Sequence, residues 1–77
     1  MNQLKSLIAA ALRIPPADIS EATAMANTPK WDSLAHMDLI LSVEEHYKIN
    51  LEGDEIADMV SVAAIASALK SKGISLT

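Results

Sequence analysis

Seventy-seven residues with no cysteine exclude a disulfide-stapled fold and a protein thiolate nucleophile, and leave too small a core for a deep, walled substrate pocket. About half of the residues are apolar, but Trp31 and Tyr47 are the only aromatics, so the core has to come from Ala, Leu, Ile, Val and Met, a composition that suits helices. The formal charge of -4 is regional: residues 33–58 hold seven acids and one Lys, the remainder three acids and five bases. The acidic stretch repels nucleic acid and anionic lipid and steers toward itself proteins with basic patches.

Leu4, Leu7, Ile8, Ala11 and Leu12 recur at helical spacing and predict a first helix from about Asn2 to Arg13, stopped by Pro15 and Pro16. Its apolar run is short and is interrupted by Arg13 and Pro15, so it reads as an amphipathic helix rather than a signal peptide. No stretch approaches transmembrane length, and the expected location is cytoplasmic. From Ala17 to Asp32 the pattern predicts a long ordered loop with one helical turn near Ala17 to Ile19 and a turn at Asn27-Thr28-Pro29, pinned to the core by Ile14, Ile19 and Met25.

Ser33 to Tyr47 contains neither Gly nor Pro, and Asp32 or Ser33 is a good N-cap, so a second helix is expected there, ending near Lys48-Ile49-Asn50. Gly53 is read as a break before a short third helix from Asp54 to Met59. Ser61 is the expected cap of a last helix whose Val62, Ile65, Ala66 and Leu69 share a face, with Lys70 and Lys72 near its negative end and Gly73 terminating it. The fold expected is therefore all-α, a four-helix bundle with a long loop between helices 1 and 2 and a short helix 3. No repeat or second domain is visible, and residues 1–77 are read as one domain.

The second helix carries two apolar stripes. His36, Leu39, Ile40, Val43 and Tyr47 form the expected core face, while Leu34, Met37, Asp38, Leu41, Glu44 and Glu45 mix apolar and acidic residues on the side turned to water. Two readings stand for that outer stripe: packing against the long loop, or a docking surface in which Met and Leu adapt to partners and the acids supply steering. Ser33 is by itself an ordinary cap residue. Trp31 is read either as a loop anchor or as a ring laid over a ligand or partner, and His36 as a partly buried packing residue. His36 and His46, ten positions apart with no cysteine, do not make a metal site, and Asn50 to Asp54 lacks calcium-loop spacing. Phosphate-loop and nucleophile-elbow motifs are missing, and no catalytic residue is assigned.

The run Trp31-Asp32-Ser33-Leu34, the helix ending Glu44-Glu45-His46-Tyr47, Ile49, Asp54-Glu55-Ile56 and Val62-Ala63-Ala64-Ile65 together resemble the acyl carrier protein family over nearly the whole chain. The resemblance implies that Ser33 receives 4′-phosphopantetheine from coenzyme A, with Asp32 helping to position Mg2+ and coenzyme A in the transferase. It implies a non-catalytic monomer that holds an acyl-type cargo as a thioester, and it matches Leu34, Met37, Asp38, Leu41, Glu44 and Glu45 to docking positions. The implied partners are a phosphopantetheinyl transferase, an acyl- or aminoacyl-activating ligase, and an acyltransferase or condensing enzyme, with neither nucleic acid nor membrane among them. Trp31, Ala35 and His36 depart from the fatty-acid-synthesis pattern. The Trp-Asp-Ser-Leu-x-His form is similar instead to discrete carriers of glyceryl, aminoacyl and polysaccharide-associated systems. An aminoacyl or hydroxyacyl carrier loaded by a separate ligase, and a helical adaptor that carries nothing, are the alternatives.

Overall fold

The computed structural model describes residues 2–75. Four α-helices follow in chain order, α1 at Asn2–Leu12, α2 at Ser33–Tyr47, α3 at Gly53–Asp58 and α4 at Val62–Ser71, with 3-10 turns at Pro16–Asp18 and Met25–Asn27 in the long connection. Leu4, Ile8 and Leu12 of α1, Leu39, Ile40 and Val43 of α2, Met59, and Val62, Ile65 and Leu69 of α4 are buried in one core. Apart from Met59, which lies beyond α3, these are residues that the helical periodicity selects; Leu7 and Ala11 of the predicted first stripe are half-buried, and Ala9, outside it, is buried.

Three helix ends share one device. In each, a residue with positive φ breaks the helix, at Arg13 (59°), Lys48 (56°) and Gly73 (84°). The isoleucine after it then turns its N–H back to a carbonyl five residues earlier: Ile14 to Ala9, Ile49 to Glu44 and Ile74 to Leu69. Ile14, Ile49 and Ile74 all pack against the core, as the residue beyond a left-handed helix end commonly does. The first helix therefore stops at Leu12 on the conformation of Arg13, one residue short of the expected Arg13 and ahead of the prolines.

The long connection is ordered by backbone pairing that the sequence pattern does not reveal. Ala24 and Ser61 form an isolated antiparallel bridge. The Met25 N–H donates to the Val60 carbonyl at 2.8 Å, and the Val62 N–H to the Thr23 carbonyl at 2.9 Å. Asn27 staples the same stretch: its Oδ1 accepts from the Ala24 N–H and its amide donates to the Ala22 carbonyl. Ile19 is buried, and Ile14 and Met25 are half-buried against the core, as expected of the residues that pin the loop.

Gly53 is not the break expected between the second and third helices. It is the first residue of α3, because the Glu55 carboxylate accepts the Glu52 N–H at 3.0 Å and so starts the helix one residue early. The break lies upstream, at Lys48. Ser61 caps α4 through its Oγ, which accepts the Ala64 N–H at 3.0 Å.

Candidate functional site

The N-terminus of α2 is set by its two preceding residues. Asp32 is extended and its Oδ1 accepts the Ala35 N–H at 2.9 Å, which satisfies one of the donors that every helix start leaves open. Capping therefore falls to Asp32 and not to Ser33. Ser33 is the first helical residue, exposed, and makes no side-chain hydrogen bond among the described residues. Its hydroxyl stands at the positive end of a 15-residue helix, where unpaired N–H groups and the helix dipole favour an anion.

Trp31 enters from the other side. The Thr28 carbonyl accepts the Trp31 N–H at 2.9 Å, and this turn drives the indole inward until it is only 2% exposed. Its Nε1–H donates to His36 Nδ1 at 3.0 Å, and His36 Nε2 lies 2.9 Å from the Ile56 carbonyl oxygen in α3. An indole N–H can only donate, so Nδ1 must accept and Nε2 carries the proton that goes to Ile56. Trp31 is thus a core anchor, and its ring is not presented to a ligand at the surface. His36 is the packing residue expected, with both ring nitrogens engaged.

The two stripes of α2 separate cleanly. His36, Leu39, Ile40 and Val43 are buried and Tyr47 is half-buried, where burial pushes its phenol up from its ordinary pKa. On the other side Leu34 is 80% exposed, Met37 50% and Leu41 56%, with Asp38 and Glu45 exposed beside them. Leu34, Met37 and Leu41 therefore do not lie against the long loop. Glu44 differs from its neighbours: it is half-buried, and its Oε2 accepts the Leu51 N–H at 2.9 Å across the connection to α3. That bond gives it a part in the fold which its place in the stripe does not suggest. The residue sequence reasoning missed is Val60, a large apolar side chain 40% exposed between α3 and α4. As a lone apolar residue in a linker, it gives no periodic signal.

Glu55 of α3 pairs with Lys72, which follows α4, at 3.1 Å. The Glu52 N–H first, and Lys72 second, hold the Glu55 carboxyl below its ordinary range. No cluster of His, Cys, Asp and Glu among the described residues has the makings of a metal site, and no helix among them is long and apolar enough to cross a membrane.

The family model described as a phosphopantetheine attachment site matches residues 2–69, which takes in all of α1, α2 and α3 and most of α4. The chain belongs to that family, the phosphopantetheine-bearing carriers of acyl carrier protein type. No curated protein shows a significant match to the sequence. The chain is accordingly a carrier and not an enzyme, bears covalently attached 4′-phosphopantetheine, and works with a phosphopantetheinyl transferase and biosynthetic enzymes. An exposed, unbonded hydroxyl at a helix N-terminus fits a phosphodiester, since nothing has to be displaced to reach it and the N–H groups around it favour the new negative charge.

Proposed function

We propose that Ser33 is the attachment residue and that residues 1–77 form one carrier domain, which holds an acyl-type cargo as a thioester and presents it to cytoplasmic partner enzymes. The observation that carries this reading is the Ser33 hydroxyl, exposed and unpaired on the first residue of α2 within Asp32-Ser33-Leu34. In the transfer, Ser33 Oγ forms a bond to the phosphorus next to pantetheine as the bond from that phosphorus to 3′-phospho-AMP breaks. The arm supplies the thiol that a chain without cysteine lacks. Asp32 holds the helix end in register through Ala35, and its free oxygen helps to position Mg2+ and coenzyme A in the transferase.

Leu34, Met37 and Leu41, with Asp38 and Glu45, form the docking surface beside the arm, and Glu44 adds its remaining oxygen at the rim. A small apolar patch with an acidic border suits contacts that form and release quickly. An acyl- or aminoacyl-activating ligase loads the arm, and an acyltransferase or condensing enzyme unloads it. Tethering raises the effective concentration of cargo at the docked enzyme. The exposed Ser33 hydroxyl argues against the adaptor that carries nothing. Intact-mass measurement after incubation with coenzyme A and a permissive phosphopantetheinyl transferase tests the assignment. The expected result is one added arm on the native chain and none on Ser33→Ala; an unchanged native mass, or the same gain in the variant, refutes it.

A further inference from the structure

An open cleft of about 500 Å3 lies beside Ser33, between the end of α1 and the start of α2. Ala11, Leu12 and Arg13 supply one wall, together with Lys30 from the long connection. Asp32, Leu34, Ala35 and Asp38 supply the other, so both chain neighbours of Ser33 stand on its rim. Lys30 Nζ donates to the Arg13 carbonyl at 3.4 Å, which brings two exposed cationic residues to the same edge. Among the described residues neither cation is in an ion pair, although Asp32 and Asp38 line the same cleft. Two like charges held together without a counter-charge favour an anion beside them.

We infer that this cleft is the resting place of the phosphopantetheine arm, with Arg13 and Lys30 holding its phosphodiester. The inference rests on the reading of Ser33 as the attachment residue. A phosphodiester is a permanent anion, and attachment at Ser33 fixes it at the rim, so the two cations meet it at high effective concentration. Beyond the phosphate, a pantetheine chain presents a geminal dimethyl group, then a hydroxyl and an amide N–H. The cleft offers partners in that order. Ala11, Leu34 and Ala35 give apolar surface above the buried Leu12. The Asp38 carboxylate, six residues after Asp32 and so about 9 Å further along the helix, is an acceptor for the hydroxyl or the amide. Filling the cleft leaves the bonds from Trp31 to His36 and from His36 to Ile56 intact. Exposed charges contribute little each, so the hold is weak enough to release. Leu34 and Asp38 also belong to the outer stripe, and a partner seated there takes over two of the residues on which the arm rests.

The test labels the full chain with 13C and 15N, loads it with an unlabelled arm from coenzyme A and confirms one arm by intact mass. It then records filtered nuclear Overhauser effects from the geminal methyls of the arm. These are expected at the methyls of Ala11 and Ala35, and loading is expected to shift the amides of Ala11 and Leu12, which are far from Ser33 in sequence. In Arg13→Gln/Lys30→Gln the contacts are expected to vanish and the two amides to stop responding to loading. If the double variant does not fold, Lys30→Gln alone, which changes only an exposed side chain, takes its place with a partial loss expected. A loaded native chain with no contact, or with contacts only elsewhere, such as to Ile56 of α3, overturns the resting site and leaves the carrier reading intact. So does a folded variant that keeps the contacts at full strength. Failure of the native chain to take up an arm, or uptake that survives Ser33→Ala, refutes the attachment at Ser33 and the resting site with it.

Discussion

The inner and outer faces of α2 are built from the same kinds of side chain and meet opposite fates. Leu39 is fully buried, whereas Leu41, two residues on, is more than half exposed. The inner face is finished: its buried polar member, His36, has a partner on each ring nitrogen. The outer face is unfinished, since Leu34, Met37 and Leu41 leave half or more of their surface in water. An exposed apolar face on a helix that starts with an exposed hydroxyl is the feature on which the proposed docking surface rests.

The largest expected effect breaks that comparison most directly. Val43→Asp places a charge in the core without a partner, and the cost of several kcal/mol is comparable to the whole stability of so small a domain. Its far-UV circular dichroism should show no cooperative melt. Leu41→Asp makes the same chemical change two positions away and should melt within about 0.5 kcal/mol of the native chain, the range of ordinary surface substitutions. It should, however, raise the KM of a phosphopantetheinyl transferase. If both variants are equally destabilised, the faces are misassigned.

Glu44 sharpens the boundary between the faces because it belongs to both. Glu44→Ala removes the acceptor of the half-buried Leu51 N–H and should cost about 1 kcal/mol. Glu44→Gln keeps an acceptor there and should recover most of that loss in a urea titration. A docking role predicts a different ranking at the partner, where Gln lacks the charge and should weaken binding almost as much as Ala. Equal stability of the two variants would mean that the bond to Leu51 contributes nothing.

The faces of α2 and α4 were legible because burial follows a 3.6-residue period, and Val62, Ile65, Ala66 and Leu69 lie where that period puts them. Asp32-Ser33-Leu34 was legible as a motif. What the sequence hid depends on contacts between distant segments or on unusual backbone. The pairing of residues 23–25 with residues 60–62 joins two stretches without period. The inward turn of Trp31 is decided by the Thr28 carbonyl and by His36, neither of which signals its partner. Arg13 and Lys48 end helices in a conformation usually left to glycine or asparagine, so the prolines and Gly53 drew attention that belonged elsewhere.

Those two residues give the next prediction. A side chain at positive φ costs about 1 kcal/mol. Glycine at Lys48 relieves this but adds freedom to the unfolded chain and loses a cation near the C-terminus of α2, each worth a few tenths of a kcal/mol or more. The balance favours Lys48→Gly by about 0.5 kcal/mol, seen as a higher urea midpoint at unchanged slope. Lys48→Val, with a β-branched side chain at the same φ, should move the midpoint the other way. A stabilised Val variant would show that the left-handed end is not held in solution.

The smallest effect separates α3 from the rest of the fold by pH. Glu55 has its folded-state pKa lowered, first by the Glu52 N–H and then by Lys72. A carboxyl of this kind contributes stability above its unfolded value and loses it as pH falls through the lower folded value. The contribution is therefore complete at neutral pH and disappears on acidification below the ordinary carboxylate range. Glu55→Gln should flatten that acid limb. Lys72→Gln should flatten it less, because it leaves the larger cause, the Glu52 N–H, in place. Raising the salt concentration should mimic Lys72→Gln and not Glu55→Gln, since a solvent-accessible ion pair is screened while a hydrogen bond to the backbone is far less so. An acid limb unchanged in Glu55→Gln would mean that the start of α3 is not held by this carboxylate.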